Sequence, residues 1–207
     1  MQDPAPDLRP DPLAEALLPV LVHRMNNTTQ LLSSLRTVLQ AAPGRDWLGE
    51  RAEDLADAHG ELRVTGYLFG LLSCASGADL LGDRRESGGL RWLLRAVGEV
   101  LRREGGQLRE PPCGLPDLTP ASGAWALPWL VGRLLHEAGR LAARGGTELE
   151  WSLGRDEDGG WSLRAAPALA PDEALGALLG SIPGATLALE AGRLHLRIPA
   201  GLLVEEA

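Results

Sequence analysis

An imidazole and a carboxamide stand one helical turn apart at His23 and Asn27, inside VLVHRMNNTTQLLSSL at 20–35. Side chains at i and i+4 on a helix can touch or present themselves to one partner. A neutral imidazole nitrogen can act as a nucleophile, and an amide beside it can orient the group under attack or a water. Taken alone, a helical histidine flanked by asparagines is as well explained as an ordinary surface residue. The elements that would hold it decide between the two.

Apolar residues recur at Leu13, Leu17, Val20, Leu21, Leu31, Leu32, Leu35, Val38 and Leu39, the three-and-four spacing of one helical face. His23, Asn27, Gln30 and Ser34 fall together on a polar stripe beside it, so His23 is expected to meet solvent. Pro19, one turn earlier, cannot donate its backbone bond and leaves the carbonyl of Glu15 free, which predicts a bend before the histidine. Asp11-Pro12 supplies an N-cap followed by proline at the first helical position, and the helix is expected to end at Pro43-Gly44.

A second helical pattern over 46–76 completes an antiparallel hairpin. Its first half carries Glu50, Glu53, Asp54, Asp57 and Glu61 and reads as a solvated face. Its second half, VTGYLFGLLSCASG, is apolar nearly all round and must be buried on several sides. Two helices cannot cover it, so the rest of the chain or a second copy must. A dimeric four-helix bundle satisfies this most simply.

Residues 90–104 read as a short amphipathic helix, followed by a proline-rich segment with an edge strand, and 125–144 as a further helix stopped by Gly145-Gly146. Strands at 147–153 and 161–165 flank GRDEDGG as a hairpin; a short helix at 171–179 follows, then ATLALEAG and RLHLRIP pair through Ala191-Gly192. The expected division is a disordered lead at 1–11, a helical hairpin at 12–78 and an α/β sandwich at 79–207. His59 is expected to pack inside the bundle, His136 and His195 to be ordinary polar neighbours, and the six tryptophans to be anchors, with Trp47 near the bundle end.

Composition excludes several classes. The 207 residues are 44% hydrophobic, enough for a core, and the net charge of -8 disfavours nucleic acid. All 20 basic side chains are arginines, which rules out a lysine nucleophile or a lysine phosphate anchor. Cys74 and Cys113 are far apart, with no metal-ligand spacing, and no disulfide framework is expected. No apolar signal region or membrane-length run is present, so a cytoplasmic protein with no membrane partner is expected.

The order of elements, a helical hairpin bearing a histidine and then an α/β sandwich, resembles a sensor histidine kinase core. His23-Arg24-Met25-Asn26-Asn27 resembles that family's H-box, and LLHEAGRLAARGGTELEWSL from Leu134 resembles the kinase helix that carries metal-binding asparagines. Two departures set the functional expectation. Arg133 and Glu137 stand where the kinase pattern wants asparagines, and 166–171 reads Ala-Pro-Ala-Leu-Ala-Pro where it wants Asp-x-Gly-x-Gly. Residues 178–184 supply no lid glycines in the family pattern. Nothing then positions ATP for transfer.

What remains resembles a dimeric histidine phosphotransferase. The resemblance implies an α+β fold, with a hairpin forming a dimeric four-helix bundle followed by a degenerate ATPase-like sandwich. It implies His23 as phosphoacceptor from the aspartyl phosphate of a response-regulator receiver domain, with Asn27 orienting the phosphoryl group or a water. Arg24, Asn26, Gln30 and Ser34 would lie at the partner surface. Magnesium would belong to the receiver, and no cofactor is expected in this chain. Arg24 takes the place of the family's acidic residue, where it either attracts the receiver or snorkels beside an acid of the bundle. A pseudo-kinase adaptor that binds a receiver or kinase without chemistry is the reading from a different class. An active kinase requires ATP binding, and a phosphatase acting through Asn27 requires His23 to be dispensable.

Overall fold

The computed structural model of the protein describes residues 11–41, 49, 51–76, 88–111, 114–115, 118–121 and 125–205. The helix bearing His23 starts on Asp11, whose Oδ1 accepts from the N–H groups of Leu13 at 2.9 Å and Ala14 at 3.2 Å. Pro12 fills the first helical position, where a missing N–H leaves no bond unmade. This helix, α1 (Pro12–Ala41), continues through Pro19 as one element.

The second helix, α2 (Ala52–Ala75), lies antiparallel to it. Leu13, Leu17, Val20 and Leu21 share a core cluster with Tyr67, Leu68, Leu71 and Cys74, while Arg24 meets Glu61 further along. Numbers rise on one helix as they fall on the other. The break expected at Pro43-Gly44, the start of the second helix near 46, Glu50 and Trp47 lie outside the described residues.

The surface that the apolar half of α2 requires is supplied within the chain by α3 (Gly89–Arg103). Leu93, Ala96, Val97, Val100 and Leu101 pack against Tyr67, Leu68 and Leu71, and Trp92 meets the Tyr67 ring edge-on at 5.8 Å. Two expectations for the hairpin need correction. Leu32 is 40% exposed, in line along the helix with the exposed Leu18, Val22 and Met25, because the side of α1 that bears them turns away from α2 and α3. His59 is exposed rather than packed, one turn before the exposed Leu62.

Helix α4 (Ala126–Arg144) joins the two halves of the molecule. Trp129 enters the hairpin cluster, and Leu127, Leu130 and Leu134 enter a second cluster beneath the sheet. Gly139 permits the close approach of α3, since a Cβ there would lie 2.6 Å from Leu101 Cδ1. The helix ends as expected, with Gly146 at a φ of 65° and the N–H of Thr147 donating to the Ala142 carbonyl at 2.9 Å.

That cap occupies Thr147, so β2 (Glu150–Arg155) begins three residues later than the sequence pattern suggests. It pairs antiparallel with β3 (Trp161–Ala166), which pairs with β5 (Arg193–Ile198), and β4 (Thr186–Glu190) closes the sheet order β2-β3-β5-β4. Ala191 and Gly192, both at positive φ, make the two-residue turn between β4 and β5. Leu194, Leu196 and Ile198 alternate inward onto α4. The short helix α5 (Glu173–Gly180) is capped by Asp172, and β1 (Leu118–Pro120) pairs antiparallel with β6 (Leu203–Glu205) as a separate ribbon. The described residues thus form an α+β fold of five helices and two antiparallel sheets.

The remaining histidines are not equivalent surface groups. His195 Nε2 lies 2.8 Å from Ser162 Oγ, across neighbouring strands. His136 is fully buried, with Nε2 2.9 Å from Glu104 Oε2 and Nδ1 without a partner among the described residues. Burial lowers its pKa below 6.5, against the opposing pull of Glu104, because the charged ring would lose its hydration. A folded-state pKa below the unfolded one stabilises the fold above pH 6.5 and loses that stabilisation as pH falls through the folded value. Denaturant titrations from pH 7 to pH 5 are expected to show falling stability, with a shallower fall in His136→Gln.

Candidate functional site

Helix α1 fixes the orientation of the candidate nucleophile. His23 is exposed, and its Nε2 lies 3.3 Å from Nδ2 of Asn27. With the amide donating, Nε2 carries the lone pair and the ring proton resides on Nδ1. The i+4 pairing expected from the spacing is therefore present in the geometry.

The pair borders an open cleft of about 360 Å³ between α1, α2 and the C-terminal part of α3. His23, Asn27 and Thr28 line it from α1, Asp57 and Glu61 from α2, and Glu99 from α3. Arg24 also lines it, half-buried, with Nη1 donating to Glu61 Oε2 at 2.9 Å and Nη2 3.5 Å from Glu99 Oε2. This is the placement beside a bundle acid, so its charge is committed to two carboxylates and ties three helices together.

The other polar candidates stand apart from the cleft. Asn26, Gln30 and Ser34 are exposed and do not line it. Ser34 Oγ donates to the Gln30 carbonyl at 2.9 Å, as Thr28 and Thr29 donate to the carbonyls four residues before them. Asp57 and Glu61, read from sequence as a solvated face, belong to the cleft wall. Glu99 was missed; its signal was its standing as the sole acid in α3, where an isolated carboxylate among arginines invites an ion pair.

This arrangement can present an unprotonated imidazole nitrogen to an electrophile entering from solvent, with an amide able to donate to an anionic oxygen. Among the described residues no group of three or more His, Cys, Asp or Glu could hold a metal ion. Cys74 is buried, and Cys113 lies outside the described residues.

A second polar cluster sits on α4, where the kinase pattern wants asparagines. Arg133 is 3% exposed, and its guanidinium donates to Glu137 at 2.8 Å, Asp11 at 3.1 Å and Asp172 at 2.6 Å. Trp129 Nε1 donates to the same Asp11 oxygen at 3.2 Å. Burial works against the charge, but the three carboxylates outweigh it and raise the Arg133 pKa. The cluster links the start of α1 to the cap of α5, and the side chain that fills the position is a cation.

No helix among the described residues is long and apolar enough to cross a membrane. Compared with known proteins, the chain matches no family model and no curated protein.

Arg133 is buried but the carboxylates it would leave behind reach solvent, so Arg133→Met is expected to lower unfolding free energy by about 1–3 kcal/mol. The exposed Arg193–Glu150 pair at 3.0 Å gives the contrast: Arg193→Met is expected to cost about 1 kcal/mol or less in the same urea titration.

Proposed function

We propose that the protein is a histidine phosphotransferase that relays phosphoryl groups between response-regulator receiver domains in two-component signalling, in the cytoplasm and without binding ATP. The observation that carries this reading is the exposed His23 imidazole, held at Nε2 by Asn27 on the edge of an open three-helix cleft. Supporting it, Arg133 and Glu137 form an ion pair where metal-binding amides would be needed to position ATP. The four-stranded sheet with α4 against it is in this reading a degenerate ATPase-like sandwich.

The step is a simple displacement. Nε2 attacks the phosphorus of the receiver's aspartyl phosphate, the N–P bond forms, the P–O bond to the carboxyl oxygen breaks, and the aspartate leaves as carboxylate. The Nδ1 proton remains on the ring. Attack requires Asn27 to release Nε2, after which its Nδ2 can donate to a phosphoryl oxygen. Magnesium, held by the receiver, supplies most of the charge stabilisation, so the relay protein contributes a positioned nucleophile.

The same reading takes the hairpin as the core of a homodimeric four-helix bundle. Leu18, Val22, Met25 and Leu32 on α1 and Leu62 on α2 are each 40% exposed or more, and they account for five of the eight exposed large hydrophobics of the described residues. Such a concentration on one element pair favours a partner there. Light scattering is expected to give twice the chain mass for the wild type and a monomer for Val22→Glu/Met25→Glu/Leu62→Glu.

Incubation with a panel of radiolabelled phospho-receivers tests the chemistry. Wild type is expected to take label, His23→Ala none, and Asn27→Ala to take it about tenfold to a hundredfold more slowly. Label taken directly from ATP would restore a kinase. Tight receiver binding with no label from any donor would leave the adaptor reading.

A further inference from the structure

A larger cavity, of about 430 Å³, lies beside the His23 cleft and serves no part of the chemistry above. Its floor is apolar, built by Leu94, Leu108, Leu115 and the Trp151 ring. Arg95 and Arg102 stand two turns apart on one face of α3, and Arg24 and Arg109 also line the cavity. Arg24 is committed to Glu61 and Glu99 and Arg109 to Glu148, so the positive charge the cavity offers, in a chain of net charge -8, is that of Arg95 and Arg102. Arg95 and Arg102 have no hydrogen-bond or ion-pair partner among the described residues.

The walls are tied in place without a ligand. Trp151 Nε1 donates to the Arg109 carbonyl at 2.7 Å, Arg109 pairs with Glu148 at 2.8 Å, and Arg91 donates to the Leu115 carbonyl at 2.7 Å. A volume near the lower end of ordinary ligand pockets, an apolar floor and a few convergent polar groups are the features of a small-molecule site. Guanidinium forks match the paired oxygens of carboxylate, sulfonate or phosphate, and an indole edge beside leucines suits a flat apolar body.

We infer that this cavity binds a small amphipathic anion, an acidic head group attached to a flat aromatic body. The head group lies between Arg95 and Arg102 and the body rests on Leu108 and Trp151. Gly98 leaves the space between them open, since a Cβ there would rest 3.6 Å from the Leu108 Cβ and a longer side chain would occupy the site. The assignment does not depend on phosphotransfer by His23.

Titration with anilinonaphthalene sulfonate, followed by its fluorescence and by calorimetry, tests this on the full chain. The wild type is expected to bind one dye per chain, and Arg95→Ala/Arg102→Ala to bind it at least about tenfold more weakly. Both arginines are exposed, so the variant keeps its fold, which a circular dichroism melt checks. Gly98→Leu is expected to abolish binding, and Leu189→Ser, at an exposed apolar position on β4, to leave it unchanged. Equal affinity of wild type and both cavity variants overturns the inference. So does loss of binding in Leu189→Ser alone, equal affinity for the neutral phenylnaphthylamine, or no binding to the wild type at millimolar dye.

Discussion

Two helices must satisfy two apolar clusters at once, and the rest of the structure follows from that constraint. α3 turns Leu93, Ala96, Val97, Val100 and Leu101 to the hairpin and Leu90 and Leu94 to the sheet. α4 does the same with Trp129 on one side and Leu127, Leu130 and Leu134 on the other. Burying a Leu-sized side chain is worth about 1.5–3 kcal/mol, so neither helix can be withdrawn from either cluster without a cost comparable to total stability. The hairpin is therefore seated against the sheet-bearing half by the same residues that form its core. Glu99 at the cleft and Arg95 and Arg102 at the cavity rim are carried by the outward face of α3.

Arginine does the polar joining. Arg133 reaches three carboxylates, two of them from other segments, and Arg24 reaches two, from α2 and α3. A planar fork with five donors can serve several acceptors in fixed directions, which a single ammonium cannot. In a chain without lysine this property falls at every buried cation. Such junctions fix direction more than they add stability, because each buried charge is desolvated before it is paired. Their effect on His23 is indirect: Arg24, the next residue, anchors that turn of α1 to both neighbouring helices.

Much of this was legible in the sequence because local rules were not overruled. The Asp11 cap, the Gly145-Gly146 stop, the Ala191-Gly192 turn and the order of helices and strands through β5 follow from short-range chemistry, whereas the three-residue β6 was not expected from the sequence. So did the contact between His23 and Asn27, since i,i+4 geometry on a helix needs no tertiary information. The periodicity failed at Leu32, where the sequence pattern runs across two faces of one helix. It failed again at His136, a buried ring whose carboxylate partner lies 32 residues away and has no local signature.

The sequence by itself determined the elements, their caps and turns, and the pairing of one imidazole with one amide, because each is set within a few residues. Only the tertiary structure decided what those elements face. It covered the apolar half of α2 with α3 of the same chain, put Asp57, Glu61 and Glu99 around His23, and gathered four arginines over an apolar floor. Those outcomes depend on how far α3 and α4 can approach, which Gly139 and the shapes of Leu101 and Trp129 settle by contact rather than by pattern.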